Sequence, residues 1–173
     1  MREHMGLYRG KRIDNGEWVE GAYHKHDTVK ACFTTDDPKP KHLIINDGFC
    51  DWGLEPPIVG YEVDPDTIGE CTGLKDKNGK KIFEGDIVKL DEQLFKVIYE
   101  CANFGLGSNK EINYNPIINK SKEAGSMDFW GCYCDNFVSL FELYWNFNDD
   151  ENILNEIEVI GDVYDNPELL KGE

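Results

Sequence analysis

The chain has little of what membranes, metal sites and nucleic acids call for. No apolar run approaches the ~20 residues needed to cross a bilayer, and no basic start leads into an apolar leader segment. A soluble, cytoplasmic protein with no membrane partner is expected. Paired C-x-x-C spacing is absent: the six cysteines stand at 32, 50, 71, 101, 132 and 134. Cys132 and Cys134 lie two apart and would share one face of a strand. The four histidines (His4, His24, His26, His42) all stand in the N-terminal third, far from that pair in sequence. For want of further ligands both Cys132/Cys134 and His24-x-His26 are discounted as metal sites, and the cysteines are read as thiols in a reducing compartment. Basic charge is scarce too, with 18 Lys and Arg against 34 Asp and Glu, a net −16. From Asp135 to Glu173 eleven acids face Lys171 alone. Phosphate binding rests on cations displacing counterions, so direct nucleic-acid binding is not expected. Nor is there a nucleophile elbow, a phosphate-cradling glycine loop or a metal-binding helix motif.

What the chain does have is short strands. At 173 residues it can bury roughly 70% of its unfolded surface, enough for a self-sufficient core. It is organised around Thr72-Gly73-Leu74-Lys75-Asp76-Lys77-Asn78-Gly79-Lys80-Lys81-Ile82-Phe83-Glu84-Gly85-Asp86-Ile87-Val88-Lys89-Leu90. Asn-Gly readily takes positive φ at both centres of a two-residue turn, so Asn78-Gly79 predicts a hairpin tip, with Ile82, Ile87, Val88 and Leu90 in flanking strands. Lys75, Lys77, Lys80 and Lys81 keep that tip solvated. Gly85 permits a bulge or a positive-φ kink, and Asp86 can accept nearby backbone N–H groups.

This stretch resembles the signature of the YopX family, small proteins of phages and prophages of bacteria. Val63-Asp64-Pro65 with Thr67-Ile68-Gly69 leads into it as in that family, and Glu158-Val159-Ile160-Gly161-Asp162-Val163-Tyr164-Asp165-Asn166-Pro167-Glu168-Leu169-Leu170 is similar to the family's ending. Arg9-Gly10-Lys11-Arg12 with Gly16-Glu17-Trp18 resembles its opening. Cys71 stands where an aromatic residue is expected. The resemblance implies a β-rich fold with an SH3-like barrel in the C-terminal part, and it implies no reaction, cofactor or catalytic residue. Its signature residues here are Thr72, Gly73, Asp76, Gly79, Glu84, Gly85, Asp86, Gly161, Asn166 and Pro167, read as structural.

Taken in order, Gly6–Ile13 and Glu17–Tyr23 predict a hairpin turned at Asp14-Asn15-Gly16. Thr28–Thr34, Lys41–Asn46 and Val59–Val63 predict further strands, with a loop over 47–58. Residues 1–66 are expected to form an N-terminal β-sheet and residues 67–173 the barrel. Gln93–Cys101 is the clearest strand. Asn103–Ser126 reads as a polar inserted loop holding one strand at Glu111–Ile118, and Met127–Cys134 as a strand. Phe137, Leu140, Phe141, Tyr144 and Trp145 recur at helical spacing, which predicts one amphipathic helix over Asn136–Asn146, capped by Asn136 and buried on its aromatic face. Ile157–Tyr164 closes the sheet, and Asn166-Pro167 starts a final helical turn. One core is expected to hold Ile87, Val88, Val97, Ile98, Val159 and Ile160.

Two classes of function compete. In an unbroken strand Glu84 and Asp86 would project from one face, as a metal-dependent enzyme requires; Gly85 between them argues for a turn instead. A non-enzymatic β-rich module that binds a protein partner or a second copy, without cofactor or metal, is the expected role. The acidic C-terminal segment leaves a third reading, a DNA mimic that inhibits a host protein.

Overall fold

The computed structural model describes residues 6–27, 39–48, 57–100, 102–123, 136–145 and 156–171. The strands expected at Thr28–Thr34 and Met127–Cys134, with Cys132 and Cys134, lie outside the described residues. The protein is mainly β, and it divides into two compact units, Met1–Cys71 and Thr72–Glu173.

The N-terminal unit contains β1 (Leu7–Lys11), β2 (Trp18–His26), β3 (Lys41–Asp47), β4 (Ile58–Glu62) and the start of β5 (Gly69–Lys75), in the order β4-β3-β2-β1-β5. Adjacent strands among β1 to β4 are antiparallel, as is β1 with β5. Its core is small: Val19, Ile44 and Val63, with Tyr8, Tyr23, Tyr61 and Ile68 packed on them. Pro65 starts a single 3₁₀ turn, Pro65–Thr67, whose Asp64 cap accepts the Asp66 N–H.

In the C-terminal unit, β5 beyond Cys71 hydrogen-bonds β6 (Lys81–Phe83). The main sheet runs β10-β9-β8-β7-β11, from β7 (Asp86–Leu90), β8 (Gln93–Glu100), β9 (Asn103–Gly107), β10 (Phe137–Ser139) and β11 (Glu158–Asp162), antiparallel throughout. Four strands meander and the last returns beside the first. The core is large and apolar, holding Ile82, Val88, Leu90, Phe95, Val97, Leu106, Ile117, Val138, Leu143, Ile157 and Val159 among others.

Several expectations are corrected. The described part of the segment 103–126 is not a loop: it holds the core strand β9 and the helix α1 (Asn115–Glu123), and Glu111–Ile118 is not a strand. The single helix expected over Asn136–Asn146 is instead β10 followed by the short α2 (Leu140–Trp145). Here Ser139 Oγ, not Asn136, accepts an N–H of the first turn, that of Glu142 at 3.4 Å. Leu140 and Leu143 are buried and Phe141 is exposed, so the apolar face of α2 is rotated from the expected stripe. Ile98 and Ile160 do not share the core of Val97 and Val159, and Ile87 is buried outside it. Consecutive residues of a strand point to opposite faces, so Val97-Ile98 and Val159-Ile160 each send one side chain into that core, while Ile87 and Val88 are both buried, on opposite faces of β7.

Candidate functional site

The signature residues meet along the seam between β7 and β11 and at the loop that reaches it. The chain turns between β5 and β6 over Asp76–Lys80. Asp76 N–H donates to Lys80 O (2.8 Å) and Gly79 N–H to Asp76 O (2.9 Å). Only Gly79 takes positive φ (81°), so the two-residue turn with positive φ at Asn78 as well is replaced by a longer loop. The reason lies in Asp76, a buried carboxylate. Its Oδ1 accepts the N–H groups of Asn78 and Lys80, both at 2.8 Å, and its Oδ2 accepts the N–H of Val159 on β11 at 3.1 Å. Burial alone raises the Asp76 pKa; the N–H groups of Val159, Lys80 and Asn78 outweigh it, and the net shift is below the ordinary aspartate value. Beside it Lys77 N–H donates to Ile157 O (2.8 Å) and Lys77 Nζ pairs with Glu158 (2.6 Å). The loop therefore acts as a short extra partner for β11.

Further along, Glu84 and Gly85 form the turn from β6 into β7, with Gly85 at φ 84°. No unbroken strand aligns the Glu84 and Asp86 carboxylates. Asp86, buried, accepts the Phe83 N–H at 2.8 Å and so closes the turn on itself. Gly85 N–H donates to Val97 O and its carbonyl accepts Val163 N–H, which stitches β8 and the end of β11 to the same turn. A Cβ on Gly85 would stand 3.2 Å from the Tyr164 ring.

On β11, Asp162 faces Asp86 in register, and its Oδ1 accepts the N–H groups of Tyr164 and Asp165, both at 2.9 Å. The ladder carries a bulge between Val159 and Gly161. Asn166 does not cap the final 3₁₀ turn, Pro167–Leu170, with its side chain; its Oδ1 accepts Asp162 N–H at 3.4 Å instead. That oxygen sits where a Cβ on Gly161 would be, 2.5 Å away, which explains a glycine opposite an asparagine five positions on. Thr72 Oγ1 donates to Ile82 O (2.9 Å) and accepts Leu74 N–H (3.2 Å), while Gly73 adopts φ 81°.

The structure thus gathers Asp76, Glu84, Gly85, Asp86, Gly161 and Asn166 at one seam and leaves Thr72 and Gly73 on β5. It adds two residues not singled out from the sequence, Asp162 and Tyr164. Among the described residues no group of three or more His, Cys, Asp or Glu side chains converges as metal donors. No described helix is long and apolar enough to cross a membrane.

A second feature of this unit is an apolar cleft of about 260 Å³, lined by Thr72, Leu74, Asn103, Phe104, Leu140 and Phe141. The Tyr99 ring meets Phe104 edge-on at 5.0 Å. Phe141 is about half exposed, at 57%, and Tyr99, against Phe104, at 51%.

A search of curated proteins found no match. The family model described as "YopX protein" matches residues 7–171, nearly the whole chain and all of the seam. The chain belongs to the YopX family.

Proposed function

We propose that the chain is a non-enzymatic module that binds another protein through the apolar cleft of its C-terminal unit. The observation that carries this reading is how the signature carboxylates are used. Asp76, Asp86 and Asp162 each accept backbone N–H groups of their own chain. Carboxylates committed to turns hold shape, and the recognition then falls to exposed apolar groups. Tyr99 and Phe141 supply such groups, with the partly buried Phe104 between core and cleft and the polar Thr72 and Asn103 beside them, the mixture that anchors protein interfaces. A protein of net charge −16 recruits a partner with a basic or apolar surface more readily than a polyanion. The proposal includes a cytoplasmic setting in a bacterium carrying a phage or prophage.

The experiment is affinity capture from such cells with the wild-type chain and with Phe141→Asp, both shown to be folded by circular dichroism. Stoichiometric capture of one protein by the wild type and its loss in the variant are expected. Equal capture by both chains overturns the reading, and so does a stoichiometric nucleic acid.

A further inference from the structure

A pair of histidines in the N-terminal unit stands apart from all of this. His24 and His26 lie two apart on β2, so both point to the same face of the sheet, and both are exposed. Their ring centroids are 6.2 Å apart with planes inclined by 38°. At a nitrogen–metal distance of ~2.1 Å, two imidazoles sharing one ion at a tetrahedral angle hold their centroids roughly 5 Å apart. Closing that difference takes side-chain rotation of two exposed rings, with no movement of the strand.

The neighbours favour the site. Directly across the ladder stand Leu43, opposite His24, and Lys41, opposite His26. The Lys41 ammonium is drawn away to Glu62 on β4, at 2.8 Å. Lys25 lies on the other face, beside His42, whose Nδ1 is held by the Tyr23 hydroxyl at 2.8 Å. His42 is therefore engaged, and His24 and His26 face solvent together.

We propose that His24 and His26 chelate one divalent transition-metal ion of the imidazole-preferring class, Ni²⁺, Cu²⁺ or Zn²⁺, with water completing its coordination. Two neutral imidazoles suit these ions and not Mg²⁺ or Ca²⁺. The want of further ligands that discounts the pair from sequence holds among the described residues; it limits the ion to an exchangeable one that contributes nothing to holding the fold.

The test is a titration of the intact chain with NiCl₂, followed by calorimetry and by amide NMR. Ni²⁺ is chosen because it does not oxidise thiols. Equimolar, saturable binding is expected, with paramagnetic broadening centred on β2. His24→Gln and His26→Gln should each weaken it by about tenfold or more, while His42→Gln leaves it unchanged; Mg²⁺ should give no signal. Thermal melts without metal should be the same for wild type and for both exposed-histidine variants, which shows that they fold. Wild-type affinity in the His24→Gln/His26→Gln double variant, or no saturable binding by the wild type, overturns the proposal.

Discussion

The Asp76 carboxylate and the Val159 amide are 83 positions apart in sequence and 3.1 Å apart in the fold. Through this bond a turn side chain substitutes for a neighbouring strand, satisfying an N–H that β7 cannot reach. Asp76→Asn keeps one acceptor oxygen and presents an NH₂ to the second group of donors, so buried N–H groups lose their partner. A loss of about 2–4 kcal/mol is expected, since bonds to a charged acceptor contribute about 1.5–3 kcal/mol and an orphaned buried donor adds its own cost. Urea denaturation of the variant against the wild type measures it.

The same carboxylate makes stability depend on pH. Its folded pKa is lowered relative to the unfolded chain, so the native state binds fewer protons in that range. The stabilisation is fully present above the unfolded aspartate value of about 3.9 and is lost as pH falls through the lower folded value. Denaturation midpoints should fall more steeply below about pH 4 for the wild type than for Asp76→Asn.

Two glycines should resist substitution for different reasons. Gly85→Val forces a branched side chain into φ 84° against the Tyr164 ring, with an expected cost of about 2 kcal/mol or more. Glu84→Gln, in the same turn, should cost less. At Gly161 the obstacle is the Asn166 side chain, so Gly161→Ala should destabilise and Gly161→Ala with Asn166→Gly should recover part of the loss. Thermal melts of the four chains decide both points.

With net charge −16, the chain should show no measurable binding to random duplex DNA at physiological salt, because repulsion exceeds what its clustered cations offset. Fluorescence anisotropy across a salt series checks this; submicromolar, salt-sensitive binding would contradict it.

The β-rich class, the strands β1, β2, β3, β7, β8 and β11, and the positive φ of Gly85 were legible because each rests on local patterning. Where glycine and proline carry tertiary meaning the sequence misled. β9 is Asn-Phe-Gly-Leu-Gly and has no β-branched residue, so it reads as loop. In the fold the Phe137 ring lies on Gly105 and Ile98 lies on Gly107, with side chains from neighbouring strands filling the space the glycines leave. Helix α1 begins Asn115-Pro116, a helix start signal inside the stretch Glu111–Ile118 expected as a strand. As for the seam, the sequence named most of its residues through a family resemblance but no role for Asp76 or Gly161, and it assigned Asn166 to the start of the final turn, which its side chain does not cap. Contacts such as Asp76 with Val159 depend on topology, which a linear pattern does not carry.

Asp86 most directly tests the proposal that the signature carboxylates hold the fold and do not perform chemistry. It is buried, faces Asp162 across the β7–β11 ladder, and accepts the Phe83 N–H at 2.8 Å. Like charges kept together for a ligand or a metal are a strain that neutralisation relieves, whereas a turn-closing acceptor is weakened when its charge is removed. Equilibrium urea denaturation of Asp86→Asn at neutral pH should show a loss of about 1–3 kcal/mol. A gain in stability would contradict the account and mark Asp86 and Asp162 as a held pair of charges awaiting a cation.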